Sequence, residues 1–248
     1  MRIIISPAKN MSQNNKEFEY NSLPIFLEDT KKILSTLREK NQSELQNIWK
    51  CNDKLLEENI QRIKNMDLTK NLTPAILTYE GMVFKHLIPA VLEDNNIEYL
   101  QKNLRILSGF YGVLKPLDGI TPYRLEMQSK LKIDSFKNLY DFWGDKIYRE
   151  ILDESKIIIN LASKEYTKAI EKFLSEDIHF ITCSFVEKSG NKLVTKGTYS
   201  KMARGEMAKF IAKHNIENPE DLKKFNELGY IFREDLSSET EYIFERIY

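Results

Sequence analysis

Apolar residues along this chain switch between two periods. Arg2-Ile3-Ile4-Ile5 is a β-branched run closed by Ser6-Pro7, which predicts a strand buried on both faces and central in its sheet. Residues 10–22 are polar and lack a period, the pattern of a loop. From residue 24 to about 67 the apolar positions fall at helical spacing: Ile33, Leu34 and Leu37, then Leu45, Ile48 and Trp49, then Leu55, Leu56, Ile60 and Ile63. Three such stripes predict three amphipathic helices. Pro24 suits a first helical turn, and Ser43 with Gln46 has capping-box spacing. Beyond Pro74, residues 76–79 suit a strand or short helix. Residues 84–92 and 97–107 read as helices, the second running into the glycine-rich turn from Gly109 to Gly112.

The second half shortens its period. Residues 156–160 form another apolar run of strand type, and 178–186 and 192–199 flank Lys188-Ser189-Gly190-Asn191, a hairpin composition. Residues 141–154, 200–214 and 219–225 read as helices, with closing strands at 230–233 and 242–246. Strands alternating with helices, plus a hairpin, predict an α/β fold: a mixed central β-sheet flanked by helices, with a helical N-terminal elaboration. No repeat and no Pro/Gly/Ser-rich linker divides the chain, so residues 1–248 read as one domain.

Composition narrows the function classes. Apolar residues at 42% and charged residues at 30% describe an ordinary globular protein. The 37 Lys and Arg cancel the 37 Asp and Glu, which excludes a global basic excess but leaves room for a local basic patch. Two cysteines, Cys51 and Cys183, exclude a disulfide framework and a CxxC motif, as in a reducing, cytoplasmic compartment. No apolar run is long enough for an export signal or a membrane span, so no membrane partner is expected. His86, His179 and His214 lack Cys or carboxylate partners at ligand spacing, so neither a metal site nor a cofactor is expected. GxGxxG, Walker and GxSxG motifs are missing from the sequence.

Five segments are chemically loaded. Ser6-Pro7-Ala8-Lys9 places a hydroxyl and an ammonium where a central strand ends, the edge at which open α/β sheets bind ligands. Asn160-Leu161-Ala162-Ser163-Lys164-Glu165-Tyr166 does the same after a second strand, with Ser163 as a natural N-cap. Leu107 to Pro116 carries Gly109 and Gly112 between Arg105 and Lys115, resembling a helix-hairpin-helix element whose backbone meets DNA phosphates. Pro122-Tyr123-Arg124-Leu125-Glu126-Met127 and Tyr140-Asp141-Phe142-Trp143-Gly144-Asp145 combine aromatics with acids, as a base-binding pocket would. Residues 201–213 set Lys201, Arg204, Lys209 and Lys213 against one acid, Glu206. Each segment also has a bland reading: a solvated lysine, a plain cap, a C-cap and turn, a core aromatic cluster, a solvated helix face.

Taken together these motifs, with Ala203-Arg204-Gly205, resemble the YaaA family of peroxide-stress proteins in order and over nearly the whole chain. Departures are small: Asn10-Met11 stands where Thr-Leu is common, and Lys115 and Lys209 where arginine is common. The resemblance implies a single-domain cytoplasmic protein with a basic cleft and a helix-hairpin-helix-like element. It also implies binding of double-stranded DNA and a role in limiting damage from hydrogen peroxide and free iron. On that reading Lys9, Arg105, Lys115, Arg124, Lys201, Arg204 and Lys209 line the cleft, and Gly109 and Gly112 allow close backbone approach. The alternative is an enzyme acting on a nucleobase or nucleotide by glycosyl transfer, with Ser6, Lys9, Glu126, Asp145, Ser163 and Tyr166 as candidate catalytic groups. Strand-end geometry predicts that Lys9 and Arg204 converge in one cleft, Arg204 lying in the first turn of a helix that starts at Ser200.

Overall fold

The structure, a computed structural model, describes residues 1–13, 19–87 and 92–247. From the amino end, β1 (Arg2–Ile5) and a two-residue strand β2 (Asn10–Met11) precede helices α1 (Leu27–Arg38), α2 (Gln42–Trp49) and α3 (Asp53–Asn65). Then come β3 (Thr73–Pro74), α4 (Ala75–Thr78), β4 (Tyr79–Glu80), α5 (Met82–Leu87) and α6 (Asp94–Asn103). A hairpin of β5 (Leu104–Ser108) and β6 (Gly112–Leu114) leads to β7 (Gly119–Ile120). The second half holds α7 (Leu139–Trp143), α8 (Lys146–Ile151), β8 (Ile157–Leu161), α9 (Lys164–Glu171), β9 (His179–Ser189), β10 (Lys192–Val194), α10 (Gly197–Lys213), β11 (Tyr230–Phe232) and β12 (Glu241–Arg246).

Among the described residues the central sheet has eight strands, in the order β11-β12-β9-β8-β1-β5-β6 with β10 on β9. β1 pairs parallel with β5 on one side and β8 on the other, and β8, β9 and β12 continue parallel. The edges and the β9–β10 hairpin are antiparallel, so the sheet is mixed. Ile3, Ile4 and Ile5 are fully buried, which is why β1 reads as an unbroken apolar run rather than an alternating one. The chain leaves β1 toward β5 and later returns to β8 on the opposite side. That reversal makes a switch point at the carboxyl ends of β1 and β8, where open α/β sheets hold ligands.

The three N-terminal stripes become α1, α2 and α3. Their buried faces are Ile33, Leu34 and Leu37, then Leu45, Ile48 and Trp49, then Leu56, Ile60 and Ile63. The capping box belongs to Asn41 and Glu44, not Ser43 and Gln46: Asn41 accepts from the Glu44 N–H and Glu44 accepts from the Asn41 N–H. Three further expectations need correcting. The helix expected over 97–107 stops at Asn103, and Leu104–Ser108 is a strand. Leu104, Ile106 and Leu107 fit either period, and pairing with β1 and β6 decides between them. The strand expected over 192–199 ends at Val194, and the helix after it begins at Gly197. Of the loop over 10–22, Asn10–Met11 instead pairs with Tyr79–Glu80, and residues 14–18 lie outside the described residues. The helix over 84–92 is found as α5; residues 88–91 also lie outside them. No helix among the described residues is long and apolar enough to cross a membrane.

Candidate functional site

A cavity of about 410 Å³ opens at the switch point. Its lining comes from five places remote in sequence. Ser6 to Asn10 follow β1, and Leu161, Ser163, Glu165 and Tyr166 lie at the end of β8 and the start of α9. Tyr123 to Glu126 come from an extended segment, and Lys201 and Arg204 from α10. Glu80 to Phe84, the turn from β4 into α5, close the rim. Lys9 and Arg204 therefore share one cavity, as the strand-end argument predicts. The helix-start argument for Arg204 does not hold: α10 begins at Gly197, which puts Arg204 about two turns in, beyond the free N–H groups.

What presents Arg204 is its neighbour. A β-carbon on Gly205 would stand 2.2 Å from the Val83 carbonyl oxygen and 2.8 Å from His86 Cβ. Only a glycine lets α5 lie against α10 at this point. The contact is pinned further along by Glu206, which meets His86 Nδ1 at 2.9 Å and also pairs with Lys209. The Arg204 Nε is then buried and without a hydrogen-bond partner. Burial pushes its guanidinium below the ordinary arginine range, and burial likewise pushes the Cys183 thiol up to about 12. No carboxylate among the described residues forms an ion pair with Arg204 or Lys201. A desolvated, unpaired cation facing a cavity is costly unless an anion completes it.

The facing wall is built differently. Arg124 Nη2 and Lys9 Nζ each approach Glu126 Oε1 at 3.0 Å, at ion-pair range though off hydrogen-bond alignment. Lys9 is 64% exposed, so its half of this triad is weak and its head is free to move. Glu165 has no cation at ion-pair distance among the described residues; its Oε1 accepts from the Gln128 N–H at 3.3 Å. Burial first, then the charge of Glu126, raises the proton affinity of the Glu165 carboxyl. Burial also holds the Tyr166 phenol well above its usual value, followed by Tyr123, Glu165 and Glu126. Ser6 Oγ accepts from the Ser163 N–H at 2.8 Å and donates to Ser163 Oγ at 3.2 Å. Ser163 stands at the N-cap of α9, where its side chain makes no capping hydrogen bond. A serine pair thus joins the two strand ends, with the positive amino end of α9 behind it.

Several sequence-predicted site residues lie elsewhere. Leu104–Gly112 is a β-hairpin, so the helix-hairpin-helix-like element is not present in that form. Its glycines serve packing. A β-carbon on Gly109 would stand 2.8 Å from the Leu125 carbonyl oxygen, and one on Gly112, at φ +74°, 2.8 Å from Trp143. Gly109 thereby seats the 123–127 segment that carries Arg124 and Glu126. Below it, Tyr123 OH meets Ser108 Oγ at 2.7 Å and Tyr79 OH at 2.8 Å, and burial pushes this phenol up to about 12. Arg105 and Lys115 line a separate cavity of about 190 Å³ with Asp118 and Glu150. Lys209 pairs with Glu206, and Asp145 accepts from Arg149 at 2.7 Å, outside the cavity. The aromatic wall expected beside Asp141 and Asp145 is core: Phe142 and Trp143 are buried. Sequence reasoning missed Glu165, which sits inside a motif it quoted, and Glu80 and Phe84, for which the sequence held no signal. No group of three or more His, Cys, Asp or Glu among the described residues is placed to hold a metal ion.

Comparison with known proteins gives the chain its relatives. A family profile described as "Peroxide stress protein YaaA" matches residues 1–236. A "UPF0246 protein" of Agathobacter rectalis is 57% identical over 99% of this chain and 99% of its own length. Proteins of the same name from Lachnoclostridium phytofermentans and Pediococcus pentosaceus are 48% and 46% identical, each over 98% of this chain and 96% or 97% of their own.

Proposed function

The chain belongs to the peroxide stress protein YaaA family, and from that premise we propose that it serves the stress response by binding DNA at the switch-point cavity, one nucleotide unit at a time. The observation that carries this reading is Arg204, half-buried, without an ion pair among the described residues, its Nε buried without a partner, facing the cavity beside Lys201. These two cations take a phosphate. Tyr166, Tyr123 and Phe84 supply apolar and aromatic surface for a base, and Glu126 accepts from its edge. Damage from hydrogen peroxide and free iron is limited, on this reading, by acting at DNA, and any effect on iron is indirect.

The cavity revises the expected footprint. Of seven cations first assigned to DNA, four line it, and two of those are engaged by Glu126. About two phosphates are then neutralised rather than seven, so log affinity against log salt should fall with a slope of about −2 and not about −6. Anisotropy of a labelled duplex titrated between low and physiological salt measures this slope. Undetectable binding at about 50 mM salt removes the reading, and a slope near −6 assigns binding to a wider surface. The enzymatic alternative is favoured by one observation. The serine pair, Glu126, Glu165 and Tyr166 crowd the same cavity as the cations, and holding a phosphate does not call for them.

A further inference from the structure

The two cavity carboxylates are treated unequally by the fold. Glu126 is clasped by Lys9 and Arg124 at 3.0 Å each. Glu165, on the next wall, is met only by main-chain N–H groups, a long bond from Gln128 and the Met127 N–H, and has no cation in ion-pair range among the described residues. The groups around Glu165 are known from each element packed on it. Lys9 comes from the loop after β1, Glu126 and the Met127 and Gln128 N–H groups from the extended segment, Tyr140 from α7 and Tyr166 from α9 itself. Tyr140 OH donates to the Glu165 main-chain oxygen at 2.8 Å, which fixes where α9 presents the side chain. Two neighbouring acids, one held by two cations and one by main-chain N–H groups alone, divide into a charged member and a proton-bearing member, the arrangement by which enzymes make a general acid near neutral pH.

We infer that Glu165 is the proton donor of this cavity and that the bound nucleotide unit is a substrate whose N-glycosidic bond is hydrolysed. This rests on the reading that the cavity takes a nucleotide. The placement favours that bond over a phosphoester. The cations without an ion pair among the described residues both come from α10, whereas Glu165 has Glu126 and Lys9 as its charged neighbours. A phosphate on Arg204 and Lys201 leaves sugar and base to reach the acid. In the step, the bond from sugar carbon to ring nitrogen breaks and its electron pair stays on nitrogen, which takes the Glu165 proton. Water adds through oxygen to the sugar carbon, and the proton it loses returns to Glu165. Nucleotide and water enter, free base and sugar phosphate leave, and nothing is oxidised or reduced. Glu126 is a positioning residue whose charge keeps the proton on Glu165.

The experiment uses the full chain with three probes: an unmodified duplex, the same duplex carrying one oxidised guanine, and the four 2′-deoxynucleoside 5′-monophosphates. Binding and free-base release are measured on each from about pH 5 to pH 9. At least one probe should be bound and release base. Glu165→Gln should bind within about twofold of the wild type yet release base about 100-fold more slowly or worse, the range general acids contribute. Glu126→Gln should move the alkaline limb of the release profile to lower pH, because the charge that sustains the Glu165 proton is gone; a merely structural Glu126 would leave the limb in place. Binding of a probe without base release at any pH overturns this inference and leaves the binding reading intact. Release unchanged in Glu165→Gln also overturns it. Failure to bind any probe overturns both.

Discussion

Burial lowers the guanidinium groups of both Arg105 and Arg204, and their surroundings treat them in opposite ways. Arg105, on β5, spends its Nη1 on the carbonyl oxygens of Gln101, Lys102 and Leu104, at 2.8–3.3 Å. The first two close the carboxyl end of α6, where carbonyls lack partners and the helix dipole is negative. Arg204, on α10, caps nothing; its Nε is buried without a partner and it looks into a cavity. Arg105 also has an unpartnered Nε, but its charge is spent on the chain's own carbonyls. Burial, together with Arg2, brings the Arg105 guanidinium down to about 10. The lesson is that a buried cation marks a site only when the fold has left its charge without work. Arg105 is structural by this test and Arg204 is not.

The comparison breaks first at the contact that presents Arg204. Gly205→Val would drive a side chain into the Val83 carbonyl, a backbone atom that cannot swing aside. The loss should be at least about 3 kcal/mol in urea denaturation, with ligand binding lost alongside. A fold that kept its stability would show that α5 and α10 do not depend on this glycine. Next in size, Arg105→Met strands three carbonyls and should cost about 1–3 kcal/mol. Arg204→Met removes a desolvated charge and should leave stability unchanged or raise it by up to about 1 kcal/mol. Equal losses in both variants would erase the distinction.

How far the sequence shows this division can be traced residue by residue. Strand β1 and the three N-terminal helices were legible because their apolar runs fit one period each. Ser6, Lys9, Ser163 and Tyr166 were legible as strand-end chemistry, and Arg124, Glu126, Lys201 and Arg204 as a loaded segment and a basic helix. The split between Arg105 and Arg204 was not, since both are arginines near glycines in loaded motifs. Whether such a glycine meets phosphate or seats a neighbour depends on what packs against it: the Leu125 backbone at Gly109, the Val83 carbonyl at Gly205. Residues 104–108 were misread because Leu-Arg-Ile-Leu suits a helix as well as a strand, and pairing across more than 95 residues decides it. Glu165 was hidden by its position beside a cap, where an acid ordinarily serves the helix dipole.

A smaller effect sharpens the account of the cavity wall. The Glu165 carboxyl is raised above its ordinary value by burial and then by Glu126. A carboxyl whose folded value is raised favours the fold when protonated. That contribution is complete below the unfolded value of about 4.5 and fades as pH climbs through the folded value. Glu165→Gln should therefore raise Tm at pH 8 and change it little at pH 4. A destabilisation at pH 8 would show that the charged form is the one the fold supports. The smallest expected change is Ser163→Ala, which loses one 3.2 Å hydroxyl contact but keeps the N–H bond to Ser6. It should cost about 0.5–1 kcal/mol in denaturation, and a loss of several kcal/mol would mean the hydroxyl holds the strand ends together.

The most direct test of the unpaired cation is a titration of one short DNA duplex into wild type, Arg204→Met and Arg105→Met at about 50 mM salt, with affinities expressed per folded molecule. Loss of one charge-assisted contact is worth about 1.5–3 kcal/mol. Arg204→Met should thus bind about 10- to 150-fold more weakly, with a shallower salt slope. Arg105→Met should bind within about twofold of the wild type once its lower stability is allowed for. Wild-type affinity in Arg204→Met, or an equal loss in both variants, would contradict the assignment of the cavity as the anion-binding site.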